Sequence, residues 1–254
     1  MKQNIGKLFY QDYYKRVNFD YVIGRGGKPD DDSQKSIQKM NKAIKEAELE
    51  EIKKLEICSN CLLAEIAYPG LVTGIGLEHS SKKLKGAFNL GMHFDYTTGM
   101  PVVYGSSVKG MLKSYFEDFC AKEGIPEEEG KVLKKEIFDG VRKDGTHISI
   151  YKRDVFFDAV IVEPNKKKHF LDEDAITPHT EGPLKEPIPI TMLKIASGCK
   201  IEFRFRLHES ECKVNGKTYS SGKKLNLFKD ILETVGIGAK TNVGYGQFLS
   251  VLVK

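Results

Sequence analysis

The glycine loop, residues 236 to 246, constrains what this chain can fold into more than any other stretch. It places four glycines and a lysine between an amphipathic segment and a strand-like apolar run. Glycines cluster in this way where the backbone has a positive φ or approaches another group very closely. The lysine indicates that this group is negatively charged, so we expect the loop to lie against a nucleic-acid backbone. The residues expected to make contact are Gly236, Gly238, Lys240, Thr241, Asn242, Gly244 and Tyr245.

Other ligands fit the spacing of the glycine loop less well. A Walker A loop requires Gly-x-x-x-x-Gly-Lys-Ser/Thr after a strand, whereas Lys240 follows a helical segment and the glycine spacing differs. A dinucleotide-binding loop requires a third glycine at the position of Thr241. The alternative that stays open is a tight helix-to-strand turn with no ligand.

The most regular helix in the sequence starts near Gly105. Its apolar residues recur at the spacing of one helical face, and they are Val108, Met111, Leu112, Tyr115, Phe116 and Phe119. Unpaired N–H groups and the helix dipole at such a start favour an anion. The residues predicted to complete a phosphate site are Gly105, Ser106, Ser107 and Lys109. A serine cap followed by an exposed lysine is the alternative that stays open.

The predicted elements follow the order β–α–β–β–α–β, with the last three strands at Val155 to Val162, Ile201 to His208 and Gln247 to Val253. Apolar and polar residues alternate in the strand at Ile201, which predicts that it is half-exposed. This order is the ferredoxin-like (RRM-like) α+β pattern of many RNA-binding modules. We expect an N-terminal helical extension, residues 1–57, packed on a core domain, residues 58–254. Long insertions are expected at about 78–105 and 163–198.

Composition excludes several classes of protein. The chain has 254 residues, and no apolar run approaches the roughly 20 residues of a membrane-spanning helix. The N-terminus leads into no apolar signal region, and five cysteines indicate free thiols in a reducing compartment. We therefore expect a cytoplasmic protein. The net charge of +5 is compatible with a nucleic-acid partner, and Arg25 and Lys166 to Lys168 belong to basic clusters that are expected to supply phosphate contacts.

The sequence contains no recognisable catalytic or metal-binding motif. Cys58 and Cys61 lack the second Cys or His pair that a structural zinc site needs, so we predict no metal and no cofactor. No Gly-x-Ser-x-Gly elbow or His-Glu-x-x-His motif is present. His93 and Asp95 stand together in a long loop, where a histidine can act as a general base. A solvated loop pair is the alternative, and we predict that the chain is not an enzyme.

Several motifs taken together resemble the RAMP superfamily of CRISPR effector proteins. The motifs are Leu8 to Tyr14, Gly105-Ser106-Ser107-Val108-Lys109-Gly110, Val155-Phe156-Phe157-Asp158-Ala159, Ile176-Thr177-Pro178-His179, Pro189-Ile190-Thr191 and the glycine loop with its strand, Gly236 to Phe248. They span nearly the whole chain. In combination they resemble the sixth-subunit family of the type III-B Cmr complex.

The resemblance implies a non-catalytic structural subunit that lies at the end of a helical protein filament and binds guide RNA near its 3′ end. The expected partners are guide (CRISPR) RNA, target RNA and other RAMP subunits of the effector complex, with no membrane. In such complexes an aspartate of the repeated backbone subunit cleaves the target. Asp95 is the nearest candidate in this sequence, and the role is not assigned to it.

Two other functions stay open. One is a metal-independent RAMP endoribonuclease that processes CRISPR repeat RNA, with His93 or another loop histidine as general base. The other is a stand-alone RNA-binding module unrelated to CRISPR. The large insertions count against the second, because an isolated domain has little reason to keep them.

Overall fold

The structure is a computed structural model that describes residues 4–19, 31–48, 56–77, 79, 84–177 and 189–254. The sequence predictions for Arg25, Pro178 and His179 lie outside the described residues. Within these residues, helices and antiparallel sheets share one large hydrophobic core. The predicted α+β class is thereby confirmed.

The principal sheet is antiparallel and has six strands in the described part of the chain. The strands are β1 (Asn60–Ile66), β2 (Val102–Val103), β3 (Val155–Phe156), β4 (Ala159–Glu163), β7 (Lys200–Arg206) and β10 (Phe248–Val253). Five of them lie in the order β10-β1-β7-β4-β2, and β3 also pairs with β7. The buried Ala64 of β1 pairs with Ile201 on one side and with Val251 on the other. β1 is therefore an interior strand, held by elements from late in the chain.

Two further hairpins each form a separate two-stranded sheet. The first pairs β5 (Leu171–Ile176) with β6 (Ile190–Ile195), so the described part of the predicted second insertion is an extended hairpin. The second pairs β8 (Lys213–Val214) with β9 (Lys217–Thr218). Asn215 and Gly216 join these two strands with φ values of 50° and 74°. Positive φ at both positions is typical of a two-residue hairpin turn.

One of the helices, Glu127–Lys134, was not predicted from the sequence. The helices are α1 (Ile5–Lys7), which continues as a π-helical turn (Leu8–Asp12), α2 (Asp31–Lys45), α3 (Gly105–Lys122), α4 (Glu127–Lys134), which continues as a π-helical turn (Lys135–Asp139), and α5 (Ser221–Val235). Gly124, with a φ of 73°, follows α3, and Pro126 precedes α4. These two residues thus separate α3 from α4.

The buried face of α3 is narrower than its sequence pattern predicts. Val108, Leu112 and Phe116 are fully buried. Met111 is only half-buried, and Tyr115 is 40% exposed. Both of these side chains line a cleft, and Met111 also packs against the edge of the core. Apolar spacing alone does not distinguish these two environments.

The polar side of β7 is buried, so the prediction of a half-exposed strand is wrong. Glu202 and Arg204 are 5% and 4% exposed. The Arg204 Nε donates to Glu202 Oε1 at 2.8 Å, and the Lys254 Nζ donates to Glu202 Oε2 at 2.7 Å. Burial alone raises the pKa of Glu202, but the hydrogen bonds from Lys254 and Arg204 outweigh it and lower the pKa. Mutual neutralisation lets Glu202 and Arg204 stay away from water, whereas the Lys254 side chain is 60% exposed.

The described parts of the N-terminal segment pack on the rest of the chain. Phe9 and Tyr13 belong to the main core, as do Ile37 and Ile44 of α2. The Tyr13 hydroxyl donates to Asn41 Oδ1 at 2.5 Å. These contacts join the π-helical turn to α2. The boundary of the extension at residue 57 stays a prediction.

His79 is a buried histidine that connects this N-terminal segment to the body. Its ring stacks on Phe9 with a centroid distance of 3.8 Å. The ring Nδ1 lies 2.9 Å from the Phe88 carbonyl oxygen, and Nε2 contacts the Phe9 carbonyl oxygen. Burial lowers the pKa of His79, and the two carbonyl contacts offset this only in part.

We expect folding stability to fall as the pH is lowered from 7.5 to 5.5. The unfolded chain takes up a proton on His79 near pH 6.5, its ordinary value, whereas the folded protein keeps the ring neutral to lower pH. Acid therefore favours the unfolded state. Thermal unfolding at both pH values should give a smaller difference in Tm for His79→Gln than for the native protein. His147→Gln, which changes an exposed ring, is the control, and equal differences in all three proteins would contradict this account.

Candidate nucleic-acid interface

One cleft of about 530 Å³ brings the two predicted phosphate-binding segments together. Ser107 comes from the start of α3, and Gly236, Gly238 and Thr241 come from the glycine loop. The remaining lining residues are Thr73, Gly74, Ile75, Gly76, Leu77, His93, Val103, Met111, Tyr115, Val235, Ile237 and Ala239. The wall formed by residues 73–77 was not predicted from the sequence. Only the pair of glycines at 74 and 76 indicated it.

An internal carboxylate already occupies the start of α3. The Gly105 N–H donates to Asp158 Oδ1 at 2.7 Å, and the Ser107 N–H donates to the Tyr104 carbonyl oxygen at 2.8 Å. The carboxylate offsets the positive end of the helix dipole. A Cβ at Gly105 would overlap the Phe156 carbonyl oxygen, which explains the glycine. The N–H groups of Gly105 and Ser107 are therefore not available to a phosphate, which corrects the expectation for these two groups.

Several side chains at the helix start remain available to a ligand. Ser106 and Ser107 are exposed, and Lys109 is half-buried. The Lys109 Nζ lies 5.9 Å from the centre of the Phe156 ring. The helix start therefore offers two hydroxyl groups and one ammonium group to a ligand.

The glycine loop closes through direct contact between its two ends. The Ile237 N–H donates to the Gly246 carbonyl oxygen at 2.9 Å. Gly236 and Gly246 have φ values of 71° and 69°. A Cβ at Gly246 would overlap the Ile237 carbonyl oxygen, and a Cβ at Gly236 would overlap that of Gly246. These two glycines are thus required for folding, whatever the loop binds.

The same loop is anchored to the segment that follows β1. The Gly246 N–H donates to the Gly70 carbonyl oxygen, and the Ala239 N–H donates to that of Val72, both at 2.8 Å. Gly238 has a φ of 101°, and a Cβ there would lie 2.5 Å from the Val72 carbonyl oxygen. These N–H groups donate within the protein. The Ala239 and Gly246 N–H groups are therefore not available to a phosphate, and the RNA contacts expected of the other loop residues stay a prediction.

The side chains between these anchors form the outer part of the loop. Lys240 has a left-handed backbone with a φ of 62°, and Thr241–Val243 form a short 3₁₀ turn. Asn242 is exposed, while Lys240 and Thr241 are half-buried. Gly244, with a φ of 96°, ends the turn. Lys240, Thr241 and Asn242 are therefore the loop side chains best placed to contact a ligand.

Tyr245 lies beneath the loop surface. Its hydroxyl donates to Asp174 Oδ2 at 2.9 Å, and that oxygen also accepts from the Lys194 Nζ at 2.7 Å. Burial and then the hydrogen bond to Asp174 raise the pKa of Tyr245 to about 12. The neutral phenol thus ties the glycine loop to β5 and supports the candidate site from below.

His93 forms part of the cleft wall. Its Nδ1 lies 3.0 Å from Thr73 Oγ1, and its ring stacks on that of Tyr104 at a centroid distance of 4.3 Å. Burial lowers the pKa of His93. The ring is therefore fixed in orientation and neutral near pH 7.

Asp95, two residues further on, has a structural role. Its Oδ1 accepts hydrogen bonds from the N–H and hydroxyl groups of Thr97 and Thr98. Burial tends to raise the pKa of Asp95, but these hydrogen bonds outweigh it and lower the pKa. The carboxylate holds the turn that leads to Met100.

Comparison with known proteins identifies the family. A model of the RAMP superfamily matches residues 20–249. The chain belongs to the RAMP superfamily. The resemblance read from its motifs is confirmed.

Individual RAMP proteins resemble the chain to different extents. It is 32% identical over 179 residues to the CRISPR system CMR subunit Cmr6 of Saccharolobus solfataricus. The match covers 68% of this chain and 52% of that protein, so the chain spans about half the length of this curated relative.

Solved structures also resemble this RAMP chain. One is a chain of the type III-B Cmr-beta complex bound to cognate target RNA, with a TM-score of 0.55 and 20% identity over 98% of this chain and 87% of that one. Another is Cmr6 from Pyrococcus furiosus, with a TM-score of 0.39 and 19% identity over 76% and 97% of the two chains. The first shares the fold of this chain.

Arg204, Cys58 and Cys61, which the sequence singled out, do not line the cleft. The predicted contact Arg25 lies outside the described residues, and Arg204 is buried against Glu202. Cys58 and Cys61 have their Sγ atoms 3.0 Å apart. In the described ranges, no group of three or more His, Cys, Asp or Glu side chains is arranged to hold a metal ion. None of the helices described is both long and apolar enough to cross a membrane.

We expect Gly246→Ala to lower the free energy of unfolding by about 3 kcal/mol or more. A non-glycine residue at positive φ costs about 1–3 kcal/mol, and the added Cβ would also force Ile237 away. Urea unfolding followed by circular dichroism measures the loss. Gly222→Ala is the control, because a Cβ there meets only Ser220 Oγ, at 3.9 Å. A loss at Gly246 no larger than at Gly222 would contradict the role of this contact.

Proposed function

We propose that this RAMP chain is a non-catalytic, guide-RNA-binding structural subunit of a type III-B CRISPR (Cmr) effector complex. Its relative in Saccharolobus solfataricus is named as Cmr6, a subunit of the CRISPR CMR system. A chain of the same fold belongs to a type III-B complex bound to cognate target RNA. The observation that carries the proposal is the cleft in which the helix start meets the glycine loop.

We also propose that β1, α3, β4, β7, α5 and β10 constitute a ferredoxin-like core. They follow one another as β–α–β–β–α–β, and their strands lie side by side as β10-β1-β7-β4 with antiparallel neighbours. Both observations support an RRM-like arrangement. Residues 1–57 are then an extension of this core, and residues 58–254 are the RAMP domain.

The proposed RNA contacts come from both sides of the cleft. Ser106, Ser107 and Lys109 act from α3, and Lys240 and Asn242 act from the glycine loop. Hydroxyl, ammonium and amide groups of this kind bind phosphate and ribose without reading sequence. This suits guide RNA, since guide sequences vary. The partners would be guide RNA near its 3′ end, target RNA and other RAMP subunits.

We expect Lys109→Ala and Lys240→Ala each to weaken RNA binding to a similar degree for RNAs of different sequence. Each lost phosphate contact on single-stranded RNA should reduce the slope of log K against log salt concentration by about 0.7. Filter binding with two unrelated RNAs at four salt concentrations measures both quantities.

Lys122→Ala is the matched control for these variants. It removes the same charge from the far end of α3, where the Lys122 Nζ lies 4.1 Å from the centre of the Phe119 ring. Its affinity and salt slope should equal those of the native chain. If Lys109→Ala and Lys240→Ala also bind like the native chain, the site is not the cleft.

An endoribonuclease is the second candidate, because His93 lines the cleft as a neutral imidazole. A neutral ring is able to accept a proton from a ribose hydroxyl. Under the proposed structural role, we expect purified protein to leave CRISPR repeat RNA intact in EDTA on a denaturing gel. Cleavage at one position that disappears in His93→Ala would establish the endoribonuclease instead.

A further inference from the structure

The interior of the cleft is apolar, and no charged side chain of the described residues lines it. Its walls include Met111 and Tyr115 of α3, Ile75 and Leu77 of the segment after β1, and Ile237 of the glycine loop. A phosphate inside such walls would lose its hydration without gaining a cation, which is costly. The interior therefore suits an uncharged group with flat apolar faces.

Polar groups also line or adjoin the same cleft. Ser107 and Thr241 contribute a hydroxyl group each. Lys240 directly precedes Thr241, and Lys109 lies two residues after Ser107, yet neither lysine is among the lining residues. The cleft thus combines an apolar interior with nearby hydroxyl and ammonium groups. A nucleotide combines the same two kinds of surface, since its base has flat apolar faces and its ribose and phosphate are polar.

We propose that the cleft binds one nucleobase of the bound RNA, turned out of the stack, while the flanking phosphates stay near Lys109 and Lys240. This inference deepens the proposed function and rests on it. The cleft volume of about 530 Å³ lies within the range of about 300–1,000 Å³ typical of small-molecule sites. Aromatic and apolar side chains accept any base by stacking, so the site needs no fixed guide sequence.

His93 is the positioning residue of this base site. Thr73 Oγ1 engages the Nδ1 atom, and the Tyr104 ring covers one face of the imidazole. Nε2 is then the ring nitrogen that a base edge can reach. A neutral ring offers this atom either as donor or as acceptor, depending on the tautomer. The structure thus provides a hydrogen-bonding ring nitrogen beside the apolar lining residues.

The test uses the full chain and a set of single-stranded RNAs of 12 nucleotides, each with 2-aminopurine at one position. The fluorescence of this base rises when it leaves its stacked neighbours. We expect binding to increase the signal at one position, or at a few positions of fixed spacing. Removing the base at that position should weaken binding by roughly 5- to 100-fold, the range expected for one stacked base.

Two variants assign this signal to the cleft. Met111→Trp fills the interior, so the increase in fluorescence should vanish and the abasic RNA should bind as well as the intact RNA. Tyr151→Trp is the control, since residue 151 is 80% exposed and lies outside the cleft. It should behave as the native chain does. Circular dichroism establishes that both variants are folded.

The outcomes separate this inference from the proposed function. If the native chain binds no RNA at any salt concentration, the proposed function fails. If the native chain binds RNA with the expected salt slope but the 2-aminopurine fluorescence rises at no position, only the base site is overturned. An increase in fluorescence that persists in Met111→Trp also overturns the base site. Excess adenosine monophosphate should not displace the RNA, and full displacement would identify the ligand as a free nucleotide.

Discussion

The hydrogen bond from the Ile237 N–H to the Gly246 carbonyl oxygen is the contact on which the candidate interface depends. It closes the glycine loop, and two further bonds, to Gly70 and Val72, fix the loop against the segment that follows β1. That segment forms another wall of the cleft. A few backbone contacts thus position the last strand, the loop and the cleft together. Side chains at the closing positions would separate the backbones, and the site would be lost with the fold.

Internal pairing decides which charges of this chain are available to RNA. Asp158 neutralises the start of α3, and Glu202 holds Arg204 on β7. Lys224 and Asp154 form another buried pair at 2.7 Å, with side chains only 2% and 3% exposed. Such pairs add nothing to the field that a polyanion meets outside the protein. The formal charge of +5 therefore says little about affinity, which depends on where individual lysines lie.

Elements with a strong periodicity of apolar residues were predictable from the sequence, whereas features that depend on tertiary contacts were not. α3 and α5 show clear apolar stripes, and the glycine loop was recognised as a place of close approach. The reason for the approach was not predictable, because the partners of Gly246 and Gly238 include backbone at 70–72, far away in sequence. Residues 202 and 204 carry charges typical of a surface, and only their pairing reveals that they are buried. The same limit applies to Met111, whose spacing fits a core residue.

The position of β1 between β7 and β10 has a consequence for how the chain is made. Residue 64 pairs with residue 251, so the centre of the sheet joins segments almost 190 residues apart. While the protein is being synthesised, one edge of β1 stays unpaired until β10 has left the ribosome. Contacts of such long separation slow folding, and an unpaired strand edge attracts other strands. Until β10 has been synthesised, this interior strand is therefore open to pairing with other chains, and pairing with β10 closes that edge.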